Sequence, residues 1–180
     1  AGVYLFKNRS AVCKIKVTLP KKFDESLWPM LGWLAGVKSQ NGIPVLTGLE
    51  FTRPSRDDLK AFSAAFGTTS SAPMFYIQGH MPDDTPLPSS DLDQFEITCE
   101  DVKNLWVNFN CGSNQIDLVA IGSPHASSSE CKDFADLLGG RKCAGETKTI
   151  ITVGRETLNQ ITKNGVLQKL KKSGVQIIPD

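Results

Sequence analysis

Short apolar runs alternate with amphipathic helical segments along most of this 180-residue chain. The apolar runs read "AVCKIKVTL", "IPVLTG", "PMFYIQG", "IDLVAI", "TKTIITVG" and "VQIIP". Three helical segments open with a capping-box pattern: Ser55-x-x-Asp58, Thr98-x-x-Asp101 and Ser127-x-x-Glu130. Strands that are separated by helices favour parallel pairing, because each return crossing needs a helix-sized connection. The sequence therefore predicts a layered α/β fold with a largely parallel sheet and helices on both faces.

The length is that of one domain or of two small ones. We expect an α/β first half over residues 1–95 and an α/β second half over residues 96–180, or one continuous domain over 1–180. The stretch "HMPDDTPLPSSD", rich in Pro, Asp and Ser, is expected to be an irregular, exposed loop. The chain has no initial Met and stops just after an apparent strand, so we expect a segment of a larger protein or a processed subunit.

Charge and composition exclude several function classes. The net charge of +1 gives no electrostatic case for nucleic acid or an anionic membrane. No apolar run approaches the roughly 18 residues of a membrane-spanning helix. The five cysteines are odd in number, widely spaced and without a CxxC pair, which favours free thiols in a reducing compartment. The expected location is the cytoplasm.

The loop "GSPH", residues 122–125, directly follows the apolar run "IDLVAI". In parallel α/β folds, ligands bind outside the carboxyl ends of strands, where loops lead into helix N-termini. The capping box at Ser127 aims the free N–H groups of the next helix into this loop, which suits a carboxylate or phosphate. The alternative is an ordinary turn before an ordinary helix. Cys131 shares a helix face with Phe134 and Leu138 and is predicted to be core.

Three more side chains of interest lie at predicted strand ends. The only two histidines, His80 and His125, each follow a strand, which favours a shared site. Arg155 follows "TIITVG" and is a candidate for bidentate anion binding. The alternative for all three is an exposed surface role. Because no Walker loop, GxGxxG, GxSxG or HExxH pattern occurs, the motifs alone indicate an anion-binding α/β segment.

Three stretches resemble the catalytic region of aconitase X, in the same order and at similar spacing. They are "LWPMLGWLAGVKSQNGIPVLTGL", "GSPHASSSECKDFADLLGGRK" and "TIITVGRETLNQITKNGVLQKLKKSGVQIIPD". The resemblance covers most of the chain, and the loop at 122–125 is its most specific part. It implies an aconitase-like domain and a lyase that removes water from a hydroxy acid.

Known activities of the family are dehydration of cis-3-hydroxy-L-proline and of mevalonate 5-phosphate. The resemblance implies an iron centre, a cluster or mononuclear iron, that acts as a Lewis acid on the leaving hydroxyl. It also implies a catalytic role for His125, which could instead orient a ligand or the substrate hydroxyl. Ser123, Ser127, Arg155 and His80 are the candidate substrate-binding residues, and cis-3-hydroxy-L-proline is the expected substrate.

The chain also departs from the family pattern. Many members carry cysteine where this chain has Ser123, and serine is the poorer iron ligand, so most ligands are expected outside this segment. The loop that is thought to supply the base belongs to a separate small subunit or swivelling domain. We therefore expect the segment alone to be inactive. The alternatives are a phosphomevalonate dehydratase large subunit, or a non-catalytic module with a degraded iron site that binds a small carboxylate or a partner.

Overall fold

A computed structural model describes residue 5, residues 8–81 and residues 92–180 of the chain. The chain divides into two compact units, Ala1–Cys111 and Gly112–Asp180. Most of the Pro- and Asp-rich loop expected after the third strand lies outside the described residues. None of the helices in the described part is long and apolar enough to cross a membrane.

The first unit alternates strands and helices. Its strands are β1 (Cys13–Val17), β2 (Pro44–Thr47), β3 (Tyr76–Ile77) and β4 (Asp93–Ile97). Its helices are α1 (Leu27–Lys38), α2 (Arg56–Thr69) and α3 (Cys99–Phe109). The strands form one sheet in the order β3-β2-β1-β4, and every pairing is parallel. The prediction of a parallel α/β architecture is confirmed here.

The boundary between the two halves lies further along the chain than the expected division after residue 95. Strand β4 pairs with β1 in parallel, with Ile15 opposite Phe95, so β4 and the helix that follows it complete the first sheet. The sequence analysis missed β4, because its sequence "DQFEI" carries three polar residues. The division therefore falls between Cys111 and Gly112.

All three helices of the first unit contribute to one core cluster, on the face of the sheet that carries Ile15 and Leu46. Strand β1 shows why, since Cys13, Ile15 and Val17 are buried while the lysines between them are exposed. A smaller cluster, built around Val45 and Tyr76, contains no helix residue among those described. The buried helix residues of this cluster thus pack on the face that carries Ile15 and Leu46.

The predicted capping boxes form. In α3, Asp101 N donates to Thr98 Oγ1 at 3.1 Å, and Asp101 Oδ2 accepts from Thr98 N at 2.8 Å. Asp101 also accepts from the Thr98 hydroxyl and lies 3.6 Å from Lys38 Nζ. The backbone hydrogen bond from Thr98, then its hydroxyl and the nearby Lys38, hold the pKa of Asp101 below its ordinary value despite partial burial.

Replacing Asp101 with asparagine is expected to lower the free energy of unfolding by about 1 kcal/mol at neutral pH. Because the folded-state pKa is depressed, the carboxylate stabilises the fold above the unfolded-state pKa of about 4, and this contribution is lost as the pH falls through the folded-state pKa. Urea unfolding should show that the free energies of unfolding of the parent protein and of Asp101→Asn converge as the pH is lowered. Glu100→Gln is the control, because Glu100 lies in the same first turn of α3, near the same end of the helix dipole, but takes no part in the capping box. An equal effect of both changes would contradict the capping argument.

The second unit holds a three-stranded sheet. Its strands are β5 (Leu118–Ile121), β6 (Lys148–Val153) and β7 (Gln176–Pro179). Its helices are α4 (Ser128–Leu138), α5 (Arg155–Lys163) and α6 (Val166–Lys172). The order is β5-β6-β7 and both pairings are parallel. The sequence "RETLNQITKNGVLQKLKK" after β6 has a continuous helical pattern, but the helix is interrupted at Gly165, whose φ of +78° is left-handed backbone between α5 and α6.

The core of the second unit lies between β6 and the three helices of that unit. Ile151 and Val153 are buried on the strand, and Ile161 and Leu170 pack against them from α5 and α6. Cys131 is fully buried in this cluster, with Phe134 and Leu138 packed beside it. The prediction that Cys131 is a core residue is confirmed.

Candidate functional site

The loops that leave the three parallel strands of the second unit lie at one edge of that sheet, its carboxyl edge. Strand β5 leads into Gly122 and the loop to α4, β6 leads into Gly154 and Arg155, and β7 leads into Asp180. Four residues of this unit that were proposed from sequence for catalysis or substrate binding therefore share one edge: Ser123, His125, Ser127 and Arg155. This is the position at which parallel α/β sheets bind ligands.

Gly122 allows the loop after β5 to turn sharply. Its φ is +98°, and a Cβ there would lie 2.5 Å from Thr152 O and 2.7 Å from Ala126 N. The close approach makes room for the hydrogen bond from Ala126 N to Thr152 O, of 2.8 Å, which ties the loop to the end of β6. The Ser123–Pro124 peptide bond is cis. The hydrogen bond from Ala126 N to Thr152 O holds the preceding residue, His125, next to the end of the central strand.

His125 contacts a residue that the sequence analysis did not single out. Its Nε2 lies 3.0 Å from Asp180 Oδ2, and its side chain is 39% exposed. The Asp180 backbone is tied to β6, since its N–H donates to Val153 O at 3.0 Å, while its side chain is 75% exposed. The available signal was positional: Asp180 follows a predicted strand, as Arg155 does. The carboxylate holds the imidazole in one orientation at the carboxyl edge.

Ser127 is occupied as the N-cap of α4. Its Oγ accepts from Glu130 N at 3.1 Å, its N–H donates to Glu130 Oε2 at 2.7 Å, and its hydroxyl lies 2.8 Å from Ser129 Oγ. The capping box predicted from sequence is confirmed. Ser127 thus orients the first turn of α4 towards the loop, and its own part in substrate binding stays a prediction.

Arg155 and Ser123 are both exposed. Arg155 is the first residue of α5, directly after the N-cap Gly154, and its side chain makes no hydrogen bond or ion pair with any other described residue. Ser123 follows Gly122 directly and has no described side-chain partner either. One guanidinium and one hydroxyl are therefore available to an anion at this edge.

His80 lies in the first unit, at the carboxyl edge of the four-stranded sheet. It follows β3, and its Nε2 lies 3.3 Å from Leu49 O and 3.5 Å from Thr52 Oγ1 in the loop after β2. The two histidines thus belong to different units, and a site shared by both stays a prediction.

Within residues 8–81 and 92–180, no three His, Cys, Asp or Glu side chains are grouped so that they could hold a metal ion. The expected iron centre is therefore not accommodated by the described residues alone. Ser123 as a ligand to iron stays a prediction.

Comparison with known proteins places both units in one family. Residues 11–107 match the family model of the aconitase X second domain, and residues 116–180 match that of the aconitase X third domain. The matched ranges agree with the two compact units, each range lying inside one of them.

Curated relatives cover nearly the whole chain. It is 32% identical to cis-3-hydroxy-L-proline dehydratase of Hypocrea jecorina and 34% identical to that of Pseudomonas aeruginosa, over 99% and 100% of its length. It spans only 32% of each of these two proteins. The phosphomevalonate dehydratase large subunit of Thermococcus kodakarensis is 27% identical, over 99% of this chain and 46% of that subunit.

One solved structure has the same fold over nearly all of the chain. The crystal structure of Thermococcus kodakaraensis aconitase X, in its holo-form, superposes with a TM-score of 0.86 at 26% sequence identity. The match covers 98% of this chain and 45% of that one. The chain therefore belongs to the aconitase X family, of which it carries the second and third domains.

Proposed function

We propose that the complete protein is a hydro-lyase that removes water from a hydroxy acid, and that its substrate is cis-3-hydroxy-L-proline. The two relatives that carry this name are 32% and 34% identical to the chain, whereas the five phosphomevalonate dehydratase large subunits are 24–28% identical. Since the chain spans about a third of the length of those first two relatives, the remainder of the protein would supply other parts of the site.

The contact between His125 and Asp180 carries the proposal. Elimination of water from a hydroxy acid breaks the C–H bond next to the carboxylate and the C–O bond of the hydroxyl, so it needs one group that takes a proton and one that gives a proton. An imidazole oriented by a carboxylate is suited to proton transfer. We assign His125 to the leaving hydroxyl, as its proton donor.

The substrate carboxylate needs a separate anchor. The exposed Arg155 guanidinium can form two parallel hydrogen bonds to a carboxylate. The Ser123 hydroxyl and the first-turn N–H groups of α4, which the Ser127 cap orients, would add donors at the same edge. His80, which lies in the first unit, stays a prediction as a substrate-binding residue.

The other expectations from the family resemblance remain proposals. Iron would take its ligands outside the described residues, because these do not by themselves fit a metal centre. The base would come from a serine loop on a small subunit or swivelling domain. A cytoplasmic location rests on the five widely spaced cysteines, all of which are free thiols in the structure.

The proposal is tested by assaying the complete protein for dehydration of cis-3-hydroxy-L-proline and of mevalonate 5-phosphate, with its iron content measured in parallel. We expect activity on the amino acid, iron in the active preparation and no activity from residues 1–180 alone. Activity on mevalonate 5-phosphate but not on cis-3-hydroxy-L-proline would identify mevalonate 5-phosphate as the substrate. An iron-free protein that is inactive on both compounds but binds a small carboxylate would favour the non-catalytic module.

A further inference from the structure

The strand order of the first unit changes direction between β1 and β4. The chain runs outwards from β1 through β2 to β3 and then continues at β4, on the other side of β1. Parallel α/β sheets bind ligands outside the carboxyl ends of their strands, at the point where the strand order reverses. In this unit, a ligand is therefore expected between the loops that follow β1 and β4.

These two loops are tied to each other at their first residues. Thr18 N, directly after β1, donates to the carbonyl oxygen of Ile97, the last residue of β4, at 2.9 Å. Cys99 Sγ, at the start of α3, donates to Thr18 O at 3.4 Å. The two contacts hold the beginning of α3 next to the loop that leads from β1 into α1.

A groove with a volume of about 360 Å³ opens at this place, and all the residues that line it belong to the first unit. Its floor is apolar, since Leu27 and Met30 of α1 and Val102 of α3 are at most 8% exposed. Phe23 and Trp106 also line it and are 45% and 49% exposed. An apolar floor that solvent can reach suits the apolar part of a small ligand.

The charged residues that line the groove are Lys22, Lys103 and Asp24. Both lysines are exposed, and neither ammonium group forms a hydrogen bond or an ion pair with another described residue. Asp24 is already engaged, because its Oδ1 accepts from Ser26 N at 2.9 Å and from Ser26 Oγ at 2.6 Å. The lining therefore has a positive net charge and two ammonium donors to spare, which favours an anionic ligand.

We propose that this groove binds a small carboxylate with an apolar body. The buried floor and the two aromatic side chains contact the apolar body, and Lys22 and Lys103 donate to the carboxylate. The exposed thiol of Cys99 lines the same groove, so a bound ligand shields it from solvent. The site concerns a ligand other than the proposed substrate, and it does not depend on the proposed function.

The test measures how fast iodoacetamide alkylates Cys99 in the complete protein, by peptide mass spectrometry. Cys111, which is exposed but does not line the groove, is the internal control. The ligands are 2-naphthoate and the uncharged 2-naphthalenemethanol, which share one ring system, and the dependence of the rate on their concentration gives each Kd. At about ten times the Kd of naphthoate, we expect alkylation of Cys99 to slow ~10-fold and that of Cys111 to stay unchanged. The alcohol should bind at least ~5-fold more weakly.

Three variants assign the binding to the residues of the groove. Lys22→Gln combined with Lys103→Gln should reduce the preference for naphthoate to below ~2-fold, because both cations of the lining are lost. Lys21→Gln is the matched control and should keep the preference, since Lys21 is exposed and adjacent but does not line the groove. Trp106→Ala should raise the Kd of both ligands at least ~3-fold and leave the preference unchanged. None of these side chains is buried, and thermal unfolding checks that each variant is folded.

Several outcomes overturn the inference. They are the absence of protection at Cys99, equal binding of the two ligands by the parent protein, and a preference that survives in the double lysine variant or is lost in Lys21→Gln. Equal slowing at Cys99 and Cys111 would mean that naphthoate does not act at the groove. If Cys99 stays unmodified in the free protein while Cys111 reacts, the remainder of the protein covers the groove, and the inference is likewise wrong.

Discussion

Replacing His125 with alanine in the complete protein is expected to lower kcat/KM for dehydration at least ~10-fold, or about 1.4 kcal/mol of transition-state stabilisation. The reason is that the change removes the imidazole that Asp180 orients at the carboxyl edge of the three-stranded sheet. Stability should fall much less, because the side chain is 39% exposed and has little packing to lose. Steady-state kinetics and thermal unfolding of the same preparations provide the measurement.

His125→Asn separates proton transfer from positioning. Asparagine can still donate a hydrogen bond towards Asp180, but it cannot transfer a proton. If His125 acts on the leaving hydroxyl, both variants lose activity to a similar extent. Asparagine that restores most of the activity would instead make His125 a positioning residue. Unchanged activity in His125→Ala, or a loss that simply follows unfolding, would reduce the loop "GSPH" to an ordinary turn.

Replacing Gly122 with alanine is expected to cost about 2–4 kcal/mol of the free energy of unfolding of the second unit. Two causes add. The φ of +98° is strained for any residue with a Cβ, and the new Cβ would meet backbone atoms of Thr152 and Ala126, which cannot rotate away. The loop must move, and the hydrogen bond from Ala126 N to Thr152 O weakens. Activity should fall as well, since His125 is the residue before Ala126.

Gly140→Ala separates the two causes. Gly140 lies in the same unit with a φ of +79°, and a Cβ there would have no atom within 4 Å. It should show the cost of backbone strain alone, about 1 kcal/mol. Urea unfolding of both variants gives the comparison. Equal losses would mean that the loop after β5 absorbs a Cβ without displacement, and that its close approach to β6 does not position the site.

Features that depend on neighbouring residues could be predicted from the sequence. Each capping box needs only a hydroxyl and a carboxylate three residues apart, and the boxes at Ser55, Thr98 and Ser127 all form. The alternation of strands and helices was predictable because the apolar periodicity differs between them. Parallel pairing followed from this alternation, because each return crossing has the length of a helix. Cys131 was predicted as core from its helical spacing to Phe134 and Leu138.

Features that depend on weak local signals were missed. Strand β4 has only two apolar residues in five, and its neighbour β1 rather than its own sequence makes it a strand. Because β4 pairs with β1 and belongs to the first sheet, the boundary between the two units falls after α3 and not after residue 95. The break at Asn164–Gly165 was likewise hidden inside a continuous helical pattern.

The sequence by itself determined which loops follow strands, and so which side chains could stand at a carboxyl edge. Only the tertiary structure decided which of them meet. His125 and Asp180 are 55 residues apart, and their contact exists because β5 and β7 both pair in parallel with β6, whose last residues hold the two loops through Thr152 O and Val153 O. Local propensity cannot specify such a contact, since it follows from sheet order and register, which long-range pairing sets.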